Sequence, residues 1–543
     1  MSGRGAATDG RARNDARDRG GNADVTTTDV SAKQREDARR DRDGAGAAAA
    51  GSADGRDASR PGAVEVMVRL SGEITTKSRG TRAGFQRRLA ANLRDALEAH
   101  GLEGRVHEDW SRLYVEGQEG LVDVVARVFG ISSLSPIEGS CEAELDAIVE
   151  AGRRLYADRV RGRRFAVRTR RSGDHPFRSV DVNRELGAAL NPGATVDLDR
   201  PEVEVRVEVR DGRARLFSSR TDGPGGLPLG VQGRGVALLS GGFDSAVAAW
   251  MALRRGVRLD YVFCNLGGGA YRRMVTEVAM VLARRWSYGT RPVLHVLDFE
   301  PVVEAMRRDV KPAYLQVVLK RLMYRAACAV AEEAGADVIV TGEAVGQVSS
   351  QTLPNLRAID EAADRPVLRP LLGFDKHEII DRARAVGTHD LSARVREYCA
   401  LVPDHPVTAS TPARAREQEE RLDAAVLRAA LASRDRLELR SLTPEEVVGE
   451  ALFVEEVPKD ATVVDIRTPE EYGSWHWPGA RREDEEEVAG SAGDLDPEAV
   501  YVLYCERGTR SARLAERLQR RGLEAYSYRG GAPALRRRDG GGA

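Results

Sequence analysis

The sequence predicts an α/β protein of several domains, built around a doubly wound parallel sheet. The chain has 543 residues, which is enough for about three or four domains. Between residues 223 and 410, short apolar runs alternate with helical segments, the pattern of parallel strands joined by crossover helices. One of these runs, residues 236–239, leads through a glycine-containing turn into an apolar helix that begins at Ala246. This strand–turn–helix unit indicates function more strongly than any other part of the sequence.

The turn from Ser240 to Ser245 has the sequence Ser-Gly-Gly-Phe-Asp-Ser. Gly241 and Gly242 let the backbone approach a ligand closely, and its amides form an anion site together with the helix N-terminus. The two serine hydroxyls add donors, and Asp244 can hold a metal or a water. The turn lacks the Gly-Lys-Ser/Thr of a Walker loop. It resembles instead the PP-loop of ATP pyrophosphatases, enzymes that adenylate a carbonyl oxygen and release pyrophosphate.

Composition and charge narrow the function classes. With 83 basic and 84 acidic residues the net charge is −1, so any contact with nucleic acid must come from a local patch. We find no apolar run of about 18 residues and no apolar signal core, so we expect neither a membrane span nor secretion. The five cysteines are scattered without a CxxC pair, which argues against a structural zinc site or a disulfide framework. These features predict a cytoplasmic protein with one or two reactive thiols.

Changes in composition and periodicity divide the chain into successive units. Residues 1–62 contain almost no large apolar side chains, so we expect a disordered tail. The units predicted after it are a small α+β domain, a second α+β domain, the doubly wound domain, a charged helical linker, a final α/β domain and a short tail, at residues 63–117, 118–222, 223–410, 411–452, 453–535 and 536–543, respectively.

Arginines are dense between Arg153 and Arg171 in the second unit, where Asp158 is the acidic residue among them. Such runs are usually a solvated surface. Here they extend across a helix, a loop and a strand, and Arg168 and Arg170 share one face of that strand. We therefore interpret this unit as a surface for RNA or phosphate groups, with Arg168 and Arg170 as candidate contacts.

Further candidates for a nucleotide site follow the turn. The strand at residues 338–341 ends at Gly342, and in a parallel sheet that end of a strand faces the ligand crevice. Residues 346–351 offer polar donors for an adenine or a ribose. Lys320 and Lys376 are candidate point charges for a phosphate. A single lysine is most often an ordinary surface residue. Only the combination of these features with the turn predicts a nucleotide site.

A second reactive centre is predicted near the C-terminus, where an apolar strand ends at Cys505 and a helix follows. Backbone amides and the positive end of the helix stabilise a thiolate or persulfide in such a loop. Arg507 and Arg510 add positive charge. Asp-x-Arg at 465–467 and Pro-Gly-Ala at 478–480 precede the loop. The pattern resembles a rhodanese active-site loop.

Several motifs of the chain occur together in one enzyme family. They are Gly-Gly-Leu-Pro-Leu-Gly at 225–230, the turn at 240–245, Asn-Leu-Gly-Gly at 265–268, Leu-Lys-Arg at 319–321, Thr-Gly-Glu-Ala-Val-Gly-Gln-Val-Ser-Ser-Gln-Thr-Leu at 341–353 and Glu-Tyr-Cys at 397–399. The chain between about residues 63 and 535 thereby resembles the tRNA 4-thiouridine synthetase (tRNA sulfurtransferase) family. The resemblance implies a ferredoxin-like N-terminal domain, a THUMP domain, a PP-loop domain and a rhodanese domain, in that order.

The resemblance also implies roles for individual residues. ATP contacts are expected in the turn, on the strand before it and in three later segments, namely at Leu238, Leu239, Ser240, Gly241, Gly242, Ser245, Lys320, Gly342 and Gln351. The arginine-rich unit becomes the THUMP module that grips the tRNA acceptor end. Cys399, which on its own would more often be an inert thiol, becomes a catalytic residue beside Cys505 and Asp244. Lys376, Arg168 and Arg170 stay candidates for substrate or phosphate contacts.

The implied reaction inserts sulfur in two stages. ATP, with Mg²⁺, adenylates the C4 oxygen of a tRNA uridine at position 8. A cysteine desulfurase loads Cys505 as a persulfide, whose sulfur reaches the activated carbon directly or as released sulfide. Cys399 then attacks the persulfide and leaves a Cys399–Cys505 disulfide, which a cytoplasmic reductant resets. A mobile rhodanese domain on the 411–452 linker would bring the two cysteines together.

Three alternatives stay open at this point. The persulfide could feed thiazole synthesis for thiamine, with the sulfur-carrier protein of that pathway as a partner. The PP-loop could belong to an amide-forming ligase, although such ligases need no persulfide loop. The chain could also be a THUMP RNA-binding protein without catalysis, which the presence of Ser240, Asp244, Lys320, Cys399 and Cys505 argues against.

Overall fold

The computed structural model describes most of the chain from residue 64 onward. The described residues are 64–109, 111–266, 268–393, 395, 405–443, 446–447, 452–490, 493, 495–506, 508–519, 521 and 523–539. The expected tail at 1–62 lies outside them, and so does Cys399. Among the described helices, none is both long and apolar enough to cross a membrane.

The first domain is an antiparallel sheet covered by one long helix. Its elements are β1 (Val64–Leu70), α1 (Gly72–Thr75), α2 (Arg79–Ala99), β2 (Gly104–Glu108), β3 (Arg112–Gly117), α3 (Leu121–Val125) and β4 (Ile131–Ile137). β1 lies between β3 and β4 and is antiparallel to both. Because side chains alternate along a strand, Val66 and Val68 enter the core beneath α2 while Met67 packs on the opposite face against Phe217.

The second domain is a mixed sheet packed on two helices. Its elements are β5 (Gly139–Glu142), α4 (Leu145–Val160), β6 (Arg164–Arg171), α5 (Ser179–Leu190), β7 (Thr195–Val196), β8 (Val203–Arg210) and β9 (Arg213–Phe217). The strand order is β5-β9-β8-β6-β7. Phe165 and Val167 of β6 are buried in the core, and Arg168 and Arg170 alternate with them on the exposed side.

The boundary expected at residue 117 is too early. β4 pairs with β1 in the first sheet, and Leu121 and Leu134 are buried in the core beneath α2. The short strand β10 (Thr221–Asp222) also returns to pair with β4, which gives the first sheet the order β10-β4-β1-β3-β2. The two domains therefore interleave in sequence, which a division by composition does not detect.

The third domain is the doubly wound one. Its elements are β11 (Arg234–Leu238), α6 (Phe243–Arg254), β12 (Arg258–Asn265), α7 (Gly268–Trp286), β13 (Val293–Asp298), α8 (Glu300–Asp309), a 3-10 turn (Pro312–Tyr314), α9 (Leu315–Ala334), β14 (Val338–Val340), a 3-10 turn (Ser349–Gln351), α10 (Leu353–Asp360), β15 (Val367–Leu368), α11 (Lys376–Val386), α12 (His389–Ser392), α13 (Pro412–Glu419), α14 (Ala424–Ala432) and β16 (Asp435–Glu438). The order is β15-β14-β11-β12-β13-β16, parallel except for β16.

This strand order contains a topological switch point. The chain moves from β11 outward through β12 and β13, then crosses back to place β14 on the other side of β11. Two apolar cores cover the two faces, one beneath α6, α7 and α11 and the other beneath α8, α9 and α10. Ligands of open parallel sheets bind at the carboxyl ends of the strands where the order reverses, which is between β11 and β14.

The helical linker expected at 411–452 is for the most part not a linker. Ala415 of α13 is fully buried in the core of the doubly wound domain. β16 extends the sheet as an antiparallel edge strand, with Leu437 opposite Leu294 of β13. Leu442 is still buried in the same domain. The connection to the last domain is therefore much shorter than the sequence indicates.

The last domain is a five-stranded parallel sheet between helices. Its elements are β17 (Phe453–Val454), β18 (Thr462–Asp465), α15 (Pro469–Ser474), β19 (Arg481–Arg482), α16 (Glu485–Gly490), β20 (Val500–Tyr504), α17 (Thr509–Gln519), β21 (Glu524–Tyr528) and α18 (Gly531–Asp539). The order is β17-β21-β20-β18-β19. The central strand β20 delivers Cys505 to the carboxyl edge of the sheet, where α17 begins.

Candidate active site

The turn from Ser240 to Ser245 lies at the switch point, directly after β11 and before α6. Gly241 has a φ of 78°, and a Cβ there would stand 3.0 Å from Cγ2 of Val275. The Ser245 hydroxyl donates to the Gly242 carbonyl at 3.2 Å and accepts from the Ser240 amide at 3.1 Å. The Ser245 side chain thus holds the turn closed, and the amides of the turn are left at the N-terminus of α6.

Gly342 forms the opposite wall, because β14 brings its backbone against the first turn of α6. A Cβ on Gly342 would lie 2.5 Å from the Ser245 nitrogen and 2.6 Å from the Asp244 carbonyl carbon, closer than real side chains come. Only glycine therefore fits at this position. The contact fixes the segment that follows β14 beside the turn and so builds a crevice from two distant parts of the chain.

Asp244 is the centre of a small polar network in this crevice. Lys376 Nζ lies 3.0 and 2.9 Å from its two carboxylate oxygens, and Gln347 Nε2 donates to one of them at 3.1 Å. The Lys376 ammonium also stands 5.8 Å from the centre of the Phe243 ring. The structure thus brings Lys376 and Asp244 together, as a shared nucleotide site requires. The sequence predicts polar donors over residues 346–351 but does not single out Gln347 as a partner of Asp244.

A buried carboxylate supports Lys320. Glu343 is 2% exposed, and its Oε1 lies 3.6 Å from Lys320 Nζ. Tyr324 donates to the other oxygen, as do Thr341 at 3.1 Å and Arg369 at 2.9 Å. Burial alone would raise the pKa of Glu343, but Lys320, Tyr324 and Arg369 outweigh it and hold that pKa below its ordinary value of 4.5. Glu343 thus stays ionised and holds Lys320 near the crevice.

The sequence does not predict the buried ion pairs of Glu343 with Lys320 and Arg369. The only local signal for Glu343 is its place one residue beyond Gly342, at the end of a strand. Arg369 follows the edge strand β15, and nothing near it in sequence indicates its buried partner. Both roles depend on pairing between β14 and β15, which periodicity does not predict.

Leu238, Leu239 and Gln351 occupy structural positions around the crevice. Leu238 packs on one face of the sheet and Leu239 on the other. The Gln351 side chain is 8% exposed and accepts from the Ala344 amide at 3.2 Å, which holds the segment after β14 in place. Their predicted contacts with ATP are considered below as part of the proposal.

The second centre lies in the last domain. Cys505 is 4% exposed, and the Ser511 hydroxyl of α17 lies 3.5 Å from its Sγ. Gly508 has a φ of 82°, and a Cβ on Gly531 would stand 2.5 Å from the Cys505 carbonyl oxygen. The Cys505 loop is therefore a tight cradle in which Gly531 has no room for a side chain and Gly508 adopts a left-handed conformation that favours glycine.

The charges near this loop are largely paired. Arg467 Nη2 donates to Asp465 at 2.7 Å and to the Trp475 carbonyl at 2.6 Å. Arg510 donates to Glu485 at 3.1 Å, so the positive charge that it adds near the loop is shared with a carboxylate. Arg507 lies outside the described residues.

Comparison with known proteins agrees with this architecture. The families described as ThiI ferredoxin-like domain, THUMP domain, Thiamine biosynthesis protein (ThiI) and Rhodanese-like domain match residues 65–135, 142–218, 230–424 and 453–537. A tRNA sulfurtransferase of Pyrobaculum aerophilum is 38% identical over 478 residues, which cover 86% of this chain and 97% of the relative. This chain belongs to the tRNA sulfurtransferase family.

Other members of the tRNA sulfurtransferase family align equally fully. That of Pectobacterium atrosepticum is 36% identical over 475 residues, covering 85% of this chain and 98% of the relative. The crystal structure of a 4-thiouridine synthetase–RNA complex with bound ATP superposes with a TM-score of 0.62 at 30% identity, covering 69% of this chain and 99% of that chain. The family and the fold class predicted from the sequence are thereby confirmed.

The other described cysteines of this family member lie in or beside apolar cores. Cys264 and Cys328 are each 6% exposed, and Cys141 is half-buried. Burial raises the pKa of all three thiols, which keeps them protonated and unreactive. The pairing of Cys399 with Cys505 stays a prediction, since Cys399 lies outside the described residues.

The arginine-rich THUMP surface is more balanced than its sequence indicates. Arg168 pairs with Glu204 and donates to the Leu198 carbonyl at 2.7 Å. Other arginines of the run pair with carboxylates that lie outside the run in sequence and that the fold brings close, for example Arg159 with Glu138. The neighbouring Arg170 is exposed on the same strand face. Of the two candidate contacts on this face of β6, Arg168 thus shares its charge with a carboxylate and Arg170 is exposed.

Because β14 lies so close to α6, any side chain at Gly342 should clash with the helix. We expect Gly342→Ala to lower tRNA-dependent pyrophosphate release by roughly tenfold to a hundredfold, because its methyl group must push the strand away from the helix. Gly373→Ala is the matched control, since no atom lies within 4 Å of its Cβ position. Equal activity of the two variants in a pyrophosphate-release assay would contradict this description of the crevice.

The lowered pKa of Glu343 predicts a pH-dependent contribution to stability. Glu343→Gln should lower the free energy of unfolding at pH 7 by about 2–4 kcal/mol, because Arg369 and Lys320 lose a buried counter-charge. The contribution of the carboxylate is fully present above its unfolded-state pKa, near 4.5, and is lost as pH falls through the lower folded-state value.

The measurement is urea unfolding of both proteins between pH 7 and about pH 3, across the range below 4.5 where the contribution is lost. We expect the difference in unfolding free energy to shrink at the acidic end. Glu332→Gln is the control, since that side chain is 83% exposed, and it should match the wild type throughout. A difference that does not shrink below pH 4.5 would contradict an ionised Glu343 in the folded protein.

Proposed function

We propose that the chain uses ATP to replace the C4 oxygen of a tRNA uridine, at position 8, with sulfur. The observation that carries the proposal is one chain that combines an ATP-type crevice at a switch point, a THUMP domain before it and a cysteine cradle after it. The 4-thiouridine synthetase of known structure is bound to both RNA and ATP, which supports the same pair of ligands here.

The activation step is assigned to the crevice at the turn. The uridine C4 oxygen attacks the α-phosphorus of ATP, the bond to pyrophosphate breaks, and an adenylated uridine results. In the proposal, the amides of Ser240–Ser245 and the N-terminus of α6 bind the phosphates. Lys320 and Lys376 stabilise the charge that develops on the leaving pyrophosphate. Leu238, Leu239, Gly342 and Gln351 border the nucleotide.

Asp244 is the residue we assign to organise this step. Its carboxylate orients Lys376 through contacts of 3.0 and 2.9 Å. Mg²⁺, when bound, would offset phosphate charge, and the Asp244 oxygens fit it as ligands. Among the described residues no group of three or more His, Cys, Asp or Glu side chains forms a metal site. The nucleotide phosphates would therefore supply most of the ligands.

The sulfur step is assigned to Cys505. A cysteine desulfurase supplies the outer sulfur of a Cys505 persulfide, and that sulfur attacks C4, directly or after release as sulfide. The C4–S bond forms, the C4–O bond breaks and AMP leaves. In the direct route, the Cys399 thiolate then attacks the Cys505 sulfur, which frees the thiouridine and forms a Cys399–Cys505 disulfide. In the sulfide route, the Cys399 thiolate attacks the Cys505 sulfur first, which forms the same disulfide and releases the sulfide that then attacks C4. A cytoplasmic dithiol supplies the two electrons and two protons that reset both thiols.

RNA recognition is assigned to the THUMP domain. Arg170 and Arg168 on the exposed face of β6 would contact phosphates of the acceptor end. Such contacts position the RNA without reading its sequence, so the choice of uridine depends on the distance from the acceptor end to the crevice.

The first prediction of the proposal concerns the cysteines. Cys505→Ser should abolish thiolation of tRNA, because no persulfide can form, and Cys399→Ser should stop multiple turnover. Cys141→Ser is the control, since that half-buried thiol has a raised pKa and no assigned role. Nucleoside mass spectrometry after reaction in vitro gives the readout. Unchanged multiple-turnover activity in either of the first two variants would remove that cysteine from the mechanism.

A second function is favoured by the family description that matches residues 230–424, which names thiamine biosynthesis. In this role the Cys505 persulfide would pass sulfur to the carrier protein of thiazole synthesis. That transfer needs no adenylated uridine, so it does not need the crevice at the turn.

The two functions separate in a variant of the crevice. Asp244→Asn should abolish thiolation of tRNA while the full-length chain still supports growth without thiamine, because Cys505 is intact. Cys505→Ser should lose both. If Asp244→Asn supports growth no better than Cys505→Ser, the second function does not operate through the persulfide alone.

A further inference from the structure

An ion pair joins the doubly wound domain to the rhodanese domain. Arg273 lies on α7 and Glu516 on α17, and their charged groups are in direct contact. Their side chains are only 14% and 16% exposed. Exposed ion pairs contribute little to structure, whereas a pair that is mostly excluded from water is sensitive to the reversal of either charge.

The first helix of this contact touches the nucleotide turn directly. Two residues before Arg273, the Tyr271 hydroxyl donates to the Ser240 carbonyl at 3.1 Å. Two residues after Arg273, Cγ2 of Val275 lies 3.0 Å from the position that a Cβ on Gly241 would occupy. The position of α7 is therefore tied to the turn on both sides of Arg273.

The second helix touches the reactive cysteine in the same way. The Ser511 hydroxyl lies 3.5 Å from Cys505 Sγ, and Ser511 is fully buried. Five residues separate Ser511 from Glu516, which is about 7.5 Å along a helix. The ion pair thus joins two helices that each contact one reactive loop, the nucleotide turn and the Cys505 loop.

The connection between the two domains limits how far they can separate. Leu442 is buried in the core of the doubly wound domain and Leu452 in that of the rhodanese domain. With the nine residues 443–451 between them, Leu442 and Leu452 can be at most about 36 Å apart when the chain is extended. Val447, within this stretch, packs against both cores. The rhodanese domain therefore moves within a short radius of α7.

We propose that Arg273 and Glu516 are positioning residues that dock the rhodanese domain on α7, so that the Cys505 persulfide is delivered to the uridine activated at the nucleotide turn. The inference rests on the proposed function. Cys505 is 4% exposed because its own domain covers it: it belongs to the rhodanese core and lies against Ser511 of α17. The short connection keeps this domain near α7.

In this proposal the ion pair serves only the delivery of sulfur from Cys505 to the uridine. It takes no part in the two half-reactions, activation of the uridine and loading of Cys505. Activation of tRNA with ATP uses the nucleotide crevice and the THUMP domain and does not use Cys505. Transfer of sulfur from thiosulfate to cyanide uses Cys505 alone. Only formation of thiouridine requires both loops to meet, so loss of the pair should affect that reaction and leave the half-reactions intact.

The experiment compares Arg273→Glu, Glu516→Arg and the double charge exchange in the full-length chain. Arg517→Glu is the control, since its side chain is exposed one residue from Glu516 on the same helix. We expect each single variant to form 4-thiouridine roughly tenfold more slowly or worse, and the double exchange to recover to within about threefold of wild type. Pyrophosphate release with tRNA, and cyanide sulfurtransfer, should stay within about twofold in all four.

Three results would overturn the inference. Single variants that thiolate tRNA at the wild-type rate would show that the pair does not position Cys505. A double exchange no better than the single variants would show that charge pairing is not the cause. Cyanide sulfurtransfer that falls in the single variants as far as thiolation does would show that the pair stabilises the rhodanese domain itself and does not dock it. Failure of the wild-type protein to thiolate tRNA would sink the proposed function instead, so the two failures are distinguishable.

Discussion

The close approach of β14 to the first turn of α6 is the contact on which the rest of the candidate site depends. A Cβ at Gly342 would come within 2.5 Å of the Ser245 nitrogen, so strand and helix touch through backbone atoms alone. This contact closes the switch point and places Glu343 and Gln347 beside the turn. Lys320 and Lys376, from two other helices, then find carboxylate partners at one crevice. A phosphate-binding turn thereby becomes a charged site able to stabilise a leaving group.

Local motifs were predictable because their residues are adjacent in sequence. The Ser240–Ser245 turn and the Cys505 loop each lie between a strand and a helix, and the structure places both at the carboxyl edge of a parallel sheet. The partners of Asp244 are 103 and 132 residues away. Such contacts depend on strand order, which sequence periodicity does not specify.

The predicted linker at 411–452 is wrong for a physical reason. β16 is an edge strand in which Leu437 is the one half-buried residue among exposed charged ones, so it lacks the apolar run of a central strand. The early boundary at residue 117 has a related cause, because β4 crosses back to pair with β1. The consequence for function is a rhodanese domain held close to α7 by nine residues, where the sequence predicts one on a long connector.

The central claim is that one chain activates a tRNA uridine with ATP and replaces its oxygen with persulfide sulfur. The most direct measurement is mass spectrometry of the nucleosides of unmodified tRNA after incubation with the persulfide-loaded wild-type protein and ATP, with AMP quantified in parallel. The account predicts one 4-thiouridine for each AMP formed. AMP without thiouridine, or thiouridine formed without ATP, would contradict it.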